Sequence, residues 1–315
     1  MPNYIVLIII LVSLSFIFLC IFFLLNLLVK RTNAYHNFYR TIHIVKDIRP
    51  TDIYKYAAFG STFSYFAYDL KDYGGHNFSI EPQSLRYMQK TIEHFANNIE
   101  NGGIAFISIT ACIFAASSTS TDEECTAYYS FLSRNEFDNY KKNVKIKYYL
   151  KRLLPALSPH YLKCLFKDER LIYSVDGCLS FENGTEQAKK RIKGWENVVG
   201  TQITDDFSVN ENLQKNIDKN INLLQEIISF LKNKNIHPVI VILPVSDSFN
   251  SVCPKIFYEK LLYKSLDRIK NETIIDFLLD KEMGNMDYYL SSDCLNVTGR
   301  KKLTNKLIER VNQLL

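Results

Sequence analysis

The feature that most constrains this 315-residue chain is an uncharged apolar segment at its amino terminus. Residues 2 to 29, PNYIVLIIILVSLSFIFLCIFFLLNLLV, contain no charged side chain. At about 1.5 Å per helical residue, the segment exceeds the roughly 30 Å hydrocarbon core of a bilayer. It lacks the basic start, short apolar centre and small-residue cleavage site of a secretory signal peptide. The sequence therefore predicts an uncleaved anchor in residues 1 to 32, with residues 4 to 29 in the membrane.

The remaining residues, 33 to 315, have the composition of one globular domain. Hydrophobic residues make up 47% of the chain, which provides a core but is too few for several membrane spans. The net charge of +5 is spread along the chain without a dense basic tract, so nucleic acid is not an expected partner. The cysteines outside the anchor form no CxxC pair, and we predict neither a metal site nor a cofactor. The pattern leaves open whether they are reduced core thiols or disulfides.

Apolar runs that alternate with amphipathic segments indicate the fold class of the body. The runs predicted as buried parallel strands are residues 54 to 59, 104 to 109, 238 to 244 and, more weakly, 273 to 276. The predicted helices are residues 84 to 99, a segment with an apolar stripe from Leu213 to Leu231, and residues 299 to 313. This alternation predicts an α/β fold, a three-layer α/β/α sandwich with a mostly parallel sheet, preceded by one transmembrane helix.

The alternation is interrupted at about residues 115 to 205, which we interpret as an insertion. It contains the basic and aromatic sequence KIKYYLKRLLPAL. Such a helix either caps the core or contacts a membrane surface or an anionic polymer, and the sequence leaves these alternatives open.

Four short sequences give the body a resemblance to the SGNH, or GDSL-like, hydrolase superfamily. They are AAFGST, NFSIEPQSL, HPVIVILPVS and MDYYLSSDCLNVTGRKKLT, and the resemblance covers about residues 50 to 315 apart from the insertion. The body most resembles the membrane-anchored branch associated with bacterial cell-surface polysaccharide assembly, which includes the D-alanyl transfer protein of teichoic acid modification. The resemblance implies acyl chemistry with a Ser nucleophile, a His base, an Asp that orients the His, and oxyanion donors.

Residue by residue, the resemblance places the nucleophile position at Thr62, with Ser61 one residue before it. In the terminal sequence, Ser291 stands where the family has Asp, and Cys294 stands where it has His. Asp293 is the carboxylate next to Cys294. The catalytic candidates are therefore Ser61, Thr62, Asp293 and Cys294.

The resemblance also implies oxyanion or substrate-binding roles for Gly60, Asn77 and Asn296. No His lies in the terminal sequence, and His76 is the alternative base. Cys294 needs a neighbour that lowers its pKa to act as a nucleophile, and the adjacent carboxylate of Asp293 acts in the opposite sense.

A purely structural interpretation competes with the catalytic one. The Gly60 to Thr62 stretch is then a tight turn whose hydroxyls satisfy backbone groups and cap the following segment, and Thr298 is the N-cap of the last helix. The missing His favours a catalytically degenerate scaffold or binding component of cell-surface polysaccharide biosynthesis or modification. The expected partner is a surface glycan or a partner acyltransferase. The alternative is an acyl esterase or O-acyltransferase with Thr62 or Ser61 as an unconventional nucleophile.

The side of the membrane on which the body lies is predicted differently by two features. Lys30 and Arg31 follow the apolar segment, and the positive-inside rule then places the body in the cytoplasm. The family resemblance implies a body outside the cytoplasm. We expect a single-pass membrane protein with an extracytoplasmic body.

Overall fold

The structure is a computed structural model that describes residues 3–32, 35, 45, 47–81, 83–116, 126–166 and 184–314. Its first element is α1 (Asn3–Lys30), an almost entirely apolar helix. Among the described residues, α1 is the one helix that is long and apolar enough to cross a membrane. The predicted apolar segment therefore forms a single continuous candidate membrane span.

The strands of the body are β1 (Tyr54–Phe59), β2 (Gly75–Asn77), β3 (Ile99–Ile109), β4 (His237–Ile242), β5 (Thr273–Asp276), β6 (Tyr289–Ser291) and β7 (Cys294–Leu295). The helices are α2 (Thr62–Tyr65), α3 (Leu85–Phe95), α4 (Lys142–Leu153), α5 (Pro159–Cys164), α6 (Thr185–Val199), α7 (Glu211–Asn233), α8 (Asp247–Asn250), α9 (Lys255–Phe257), α10 (Lys264–Leu266) and α11 (Val297–Leu314), with a π-helical turn (Tyr258–Tyr263) that joins α9 to α10. Short 3₁₀ helices occupy Lys71–Tyr73, Ala96–Asn98, Ala111–Ile113, Arg134–Glu136, Pro155–Leu157 and Met286–Tyr288.

Five of these strands form one sheet in the order β2-β1-β3-β4-β5, and every neighbouring pair is parallel. This is the order of flavodoxin-like sheets, in which the chain reverses its direction of winding between β1 and β3. The α/β prediction with a mostly parallel sheet is confirmed. The small antiparallel hairpin of β6 and β7 lies outside this sheet.

Alternate residues of the central strands point into two separate hydrophobic cores. On one face, Phe59, Ile107 and Ile242 belong to a core that includes residues of α3, α6 and α7. On the other face, Phe106 and Val241 pack with residues of α11. Burial on both faces explains why these strands are nearly continuous apolar runs, and it gives the sheet helices on both sides.

The strand ends differ from the prediction in two places. β3 begins at Ile99, not at residue 104, because the segment from residue 99 still pairs with β1 before a register irregularity between Tyr54 and Tyr56. The three-residue edge strand β2 is too short to give a periodic signal and was not predicted. The described parts of the predicted insertion contain α4, α5 and α6, and α6 contributes Ala188 and Ile192 to the first core.

Candidate functional site

The reversal of winding between β1 and β3 creates a crevice beyond the carboxyl ends of these two strands, where open α/β sheets bind their ligands. The chain leaves β1 through Gly60 and Ser61 and enters α2 at Thr62. The predicted nucleophile position thus lies at the topological position where a ligand is expected.

Gly60 is required by close packing at this turn. A Cβ atom at this position would lie 2.4 Å from Cβ of Ser64 and 2.9 Å from Cβ of Ser108. Contacts this short do not occur between carbon atoms, so any side chain would push α2 away from β3. Gly60 therefore sets the approach of the turn to the sheet.

Beneath the turn lies a buried network of four hydroxyl groups. Ser64 Oγ donates to Ser108 Oγ at 3.0 Å and accepts from Ser79 Oγ at 2.6 Å. The Tyr68 hydroxyl lies 2.7 Å from Ser108 Oγ, and burial raises the pKa of Tyr68 well above its ordinary value. The network joins α2, the loop after β2 and the end of β3 without any charged group.

Asn77, predicted as an oxyanion candidate, supports this turn from β2. Its Nδ2 donates to the carbonyl oxygens of Ser64 at 3.0 Å and Tyr65 at 3.3 Å. Its Oδ1 accepts from the backbone N–H of Ser79 at 3.1 Å. The amide thus bonds to backbone on both sides, which positions α2.

Ser61 and Thr62 lie at the start of α2 and are half-buried. Ser61 is the N-cap residue, and its carbonyl oxygen accepts from the backbone N–H of Tyr65 at 3.0 Å, whereas its side chain makes no capping hydrogen bond. The expectation that this hydroxyl caps the following segment is therefore wrong. Thr62 lines a pocket of about 150 Å³.

The terminal sequence forms the opposite side of that pocket. Residues Ser291 and Cys294 pair across the β6–β7 hairpin, and Ser292 and Asp293 form its turn. Cys294 is 8% exposed and packs with Tyr65 and other apolar side chains. The hairpin therefore presents Ser291 and Cys294 towards α2.

Two elements hold the hairpin turn in place at Ser292. The backbone N–H and the Oγ of Ser246, in the loop after β4, both donate to the Ser292 carbonyl at 2.9 Å. The backbone N–H of Ser292 donates to Oε1 of Gln187, on α6, at 3.1 Å. The Ser292 hydroxyl is buried and has no hydrogen-bond partner among the described residues.

An ion pair completes this side of the site. Nε of Arg191, on α6, donates to both carboxylate oxygens of Asp293 at 2.8 and 3.1 Å. The Asp293 side chain is fully buried, whereas that of Arg191 is 39% exposed. Ser291 Oγ donates to the same carboxylate at 3.0 Å. The carboxylate of Asp293 is therefore compensated by a residue that lies 102 positions away in the sequence.

The pocket brings Thr62, from the turn after β1, together with Ser291 and Cys294 of the terminal sequence. Its other described lining residues are Phe66, Glu81, Gln187, Arg191 and Leu290. No described residue that lines it is a His. The groups available for chemistry or binding are hydroxyl, thiol, amide, carboxylate and guanidinium.

His76 and Asn296 occupy other positions. The His76 ring lies on β2 beside the rings of Tyr54 and Phe78, at centroid distances of 5.0 and 4.6 Å, and does not line the Thr62 pocket. Asn296 precedes α11 and caps it, because its Oδ1 accepts from the backbone N–H of Gly299 at 2.9 Å. The predicted N-cap at Thr298 is therefore wrong. The Asn296 Nδ2 donates to the Asp287 carbonyl at 2.7 Å, so Asn296 orders the loop before the helix.

Cys112 follows β3 on the inner side of the ion pair. Burial raises the pKa of this thiol well above its ordinary value, and the nearby Cys253 and Asp293 act in the same sense, whereas Arg191 opposes them. The Cys112 thiol thus stays protonated and is unsuited to nucleophilic attack. Within the described residues, no group of three or more His, Cys, Asp and Glu side chains is arranged to hold a metal ion.

Two residues of this site, Gln187 and Arg191, were missed by the sequence analysis. Both lie on α6, one helical turn apart, inside the predicted insertion. The buried residues Ala188, Ile192 and Trp195 follow at spacings of four and three, which is a usable helical signal. Even so, that signal does not tell which strand end the helix contacts.

A scan of the chain against models of protein families gives no match, and a search of curated proteins gives none either.

Proposed function

We propose that the protein is a membrane-anchored, SGNH-like component of cell-surface polysaccharide biosynthesis or modification that binds its partner in the Thr62 pocket without conventional acyl-transfer chemistry. The observation that carries the proposal is the composition of this pocket. Thr62, Ser291 and Cys294 line one cavity, but no described lining residue is a His. A hydroxyl group needs a base with a pKa near the working pH to become a nucleophile, and His is the usual one.

The carboxylate of Asp293, beside the position where the family has its His, is also engaged elsewhere. Asp293 is fully buried and accepts hydrogen bonds from Arg191 and Ser291. Its carboxylate fixes the hairpin turn and has its charge compensated by the guanidinium. This arrangement supports a structural role for Asp293 and, with it, a degenerate site.

The polar groups of the pocket suit a glycan. Hydroxyl, amide and guanidinium groups from Thr62, Gln187 and Arg191 line it together with the apolar side chains of Phe66 and Leu290. Sugar rings combine hydroxyl groups with apolar faces, and binding pockets pair a few polar groups with apolar walls in the same way. Because Arg191 already pairs with Asp293 and Glu81 adds a carboxylate to the lining, the pocket favours a neutral glycan over a negatively charged one.

The binding proposal is tested on the full chain in nanodiscs with a poly(glycerol phosphate) fragment and a neutral glucan of matched length. We expect calorimetric binding of the neutral glucan, weaker binding of the charged polymer, and a roughly fivefold loss of glucan affinity in T62V, which corresponds to one hydrogen bond of about 1 kcal/mol. T298V, at an exposed Thr of α11, is the matched control and should bind like the wild type. Equal binding by wild type and T62V would remove the pocket as the glycan site.

A second candidate function, an acyl esterase or O-acyltransferase, is favoured by one residue of the same cavity. Glu81 lines the pocket with Thr62, so a carboxylate that could act as a base belongs to the same cavity as the hydroxyl. Release of nitrophenol from 4-nitrophenyl acetate separates the candidates. The binding proposal predicts equal release by wild type, T62A and C294S, whereas a loss of release in T62A alone supports the enzyme.

The anchor and the side of the body complete the proposal. Helix α1 supports single-pass anchoring, and the family resemblance supports a body outside the cytoplasm. A reporter fused to the carboxyl terminus tests this, since alkaline phosphatase is active outside the cytoplasm and green fluorescent protein folds inside it. A cytoplasmic reporter signal contradicts direct contact with a finished surface glycan.

A further inference from the structure

The last turns of α1 are clamped by the segment around residue 156. Asn26 is 4% exposed, and its Oδ1 accepts from the backbone N–H of Ala156 at 3.0 Å. Val29 and Ala156 are buried in one small apolar cluster with Tyr161. The exit of α1 is thus fixed against the body instead of being connected to it only by a free linker.

The depth of this contact follows from the length of α1. The helix has 28 residues, and about 20 of them are enough to cross a hydrocarbon core of roughly 30 Å. Lys30 ends the helix and its charge keeps this end among the headgroups, so Asn26, four residues or about 6 Å before it, lies close to that level. Ala156 and its neighbours therefore lie at the level of the headgroups.

Helix α4 ends immediately before this contact and has two apolar faces. Val144 and Tyr148 are buried in the core of the body. A second set of apolar side chains is exposed; its members are Ile146, Tyr149, Leu150 and Leu153, which are 48%, 37%, 43% and 62% exposed. Their spacings of three, four and seven residues place them in one stripe along the helix. The Tyr149 hydroxyl donates to the Tyr129 carbonyl at 3.3 Å, so this ring lies at the border between the stripe and the body.

This exposed stripe is continued beyond the helix and is bordered by positive charge. Leu157, in the turn after α4, is 57% exposed. Lys145 and Arg152 lie along one edge of the stripe, and Lys147 and Lys151 along the other. A helix with an apolar face between two rows of basic side chains is typical of helices that lie in the plane of a membrane interface.

We propose that α4 and the turn after it lie in the interface of an anionic lipid bilayer beside α1. The stripe of Ile146, Tyr149, Leu150, Leu153 and Leu157 enters the boundary between headgroups and acyl chains, and the basic side chains extend to lipid phosphates. The inference rests on the proposed anchoring by α1. Two contacts then hold the body, the span and the in-plane helix, and they fix its orientation relative to the membrane.

The position of the stripe is what selects a bilayer as its occupant. Tyr35, which follows α1, donates from its hydroxyl to the carbonyl of Arg152 at 2.9 Å. The segment from residue 152 to residue 161 thus contacts the chain where it leaves the span. A surface at this place faces lipid as soon as α1 is inserted.

The test places single Trp residues in the full chain, reconstituted in nanodiscs of phosphatidylcholine and phosphatidylglycerol that contain spin-labelled lipids. L153W reports the stripe, K147W is the matched position on the basic edge of the same helix, and L14W reports the middle of α1. The wild type, with buried Trp195 alone, gives the background. We expect L153W to lose fluorescence to labels near the headgroups, because interfacial helices lie roughly 5 to 10 Å deep.

The outcomes separate the two proposals. The in-plane helix is supported if deep labels quench L14W and shallow labels quench L153W but not K147W. If L14W is quenched while L153W behaves like K147W, the in-plane helix is wrong and the anchor stands. If L14W is not quenched, the anchor is wrong and the in-plane helix falls with it. If the emission of L153W is blue-shifted but no lipid label quenches it, the proposal is overturned, and the stripe contacts protein instead of lipid.

A second set of variants tests the same proposal through the lipid. L150E and L153E each place a carboxylate in the stripe, at exposed positions where the fold tolerates it. We expect trypsin cleavage after Lys151 in nanodiscs to become faster in both variants, whereas N143E, at an exposed polar position of α4, keeps the wild-type rate. Unchanged cleavage in L150E and L153E would contradict insertion of the stripe.

Discussion

The turn after β1 and the β6–β7 hairpin form two sides of one pocket, but different interactions hold them. The turn is fixed by close packing at Gly60 and by uncharged hydroxyl groups around Ser64. The hairpin is fixed by a buried carboxylate, Asp293, whose counterion comes from α6. One side thus depends on the sheet itself, and the other depends on α6.

This difference indicates which side of the pocket can change its position and which cannot. A turn built into the sheet cannot move without disturbing β1 and β3. A hairpin held by Gln187 and Arg191 follows any change in α6, so α6 contributes to the shape and charge of the pocket.

The largest effect is expected for Gly60→Ala. The added Cβ would overlap Ser64 and Ser108, and overpacking of this kind destabilises a fold by about 3 kcal/mol. Urea unfolding followed by Trp195 fluorescence measures the change.

Gly194→Ala is the matched control for this substitution. Gly194 lies on the exposed side of α6, and a Cβ there meets no atom within 4 Å. The same chemical change should stabilise the protein by about 0.5 to 1 kcal/mol, because Ala favours a helix over Gly. If both variants lose stability equally, close packing at Gly60 is not the cause.

The second prediction is that removing either partner of the Arg191–Asp293 ion pair destabilises the protein, but by unequal amounts. Arg191→Ala leaves the buried carboxylate of Asp293 without its counterion, and we expect a loss of about 2 kcal/mol. This is less than the 3 to 5 kcal/mol typical of fully buried pairs, because Arg191 is 39% exposed. Asp293→Asn removes the buried charge and leaves a hydrated guanidinium. It should therefore lower the free energy of unfolding by less than Arg191→Ala does.

Lys189→Ala is the control for the loss of a cation from α6. Lys189 pairs with Glu186 on the surface, and its removal should change the free energy of unfolding little. Hydrogen exchange of residues 289 to 295 locates the effect, since only Arg191→Ala should increase exchange in the hairpin. Equal losses in Arg191→Ala and Asp293→Asn would show that the buried charge is not decisive.

The third prediction compares two hydroxyl side chains of the same short helix. Ser64→Ala removes a buried partner of both Ser79 and Ser108 and should cost about 1 to 2 kcal/mol. Thr62→Ala removes a half-buried pocket hydroxyl and should change stability by less than about 0.5 kcal/mol. Thermal unfolding of the two variants side by side is sufficient, and a larger loss in Thr62→Ala would contradict the assignment of Ser64 as the structural hydroxyl.

The smallest effect is expected at the hairpin turn. Ser292 carries a buried hydroxyl without a described partner, so Ser292→Ala should be neutral or stabilise the protein by up to about 1 kcal/mol. Ser291→Ala removes a donor to Asp293 and should cost about 1 kcal/mol. Urea unfolding distinguishes the two, and a loss of stability in Ser292→Ala would mean that its hydroxyl has a partner.

Much of the fold could be predicted from the sequence because its signals are local. The strand at residues 54 to 59 and the weaker one at residues 273 to 276 were predicted with their observed bounds, since each is a short run of strand-forming residues with clear ends. The last helix was predicted within two residues of its start. The edge strand β2 was not predicted, because three residues are too few to show a periodic pattern of apolar side chains.

The candidate site was predictable only in part. Thr62 and Cys294 were identified through their neighbours in sequence, and the structure brings both to one pocket. The roles of Asn77 and Asn296 could not be predicted, because an amide that holds backbone and an amide that binds a substrate look the same in a sequence.

The sequence by itself determined the apolar span, the alternation of strands and helices and the strand ends at which a ligand is expected, because each depends on residues that are close along the chain. Only the tertiary structure decided that Arg191 compensates Asp293 and that α4 exposes an apolar stripe beside the exit of α1. Both depend on contacts between segments about one hundred residues apart or more. No local period encodes such contacts, because they follow from how the whole chain packs.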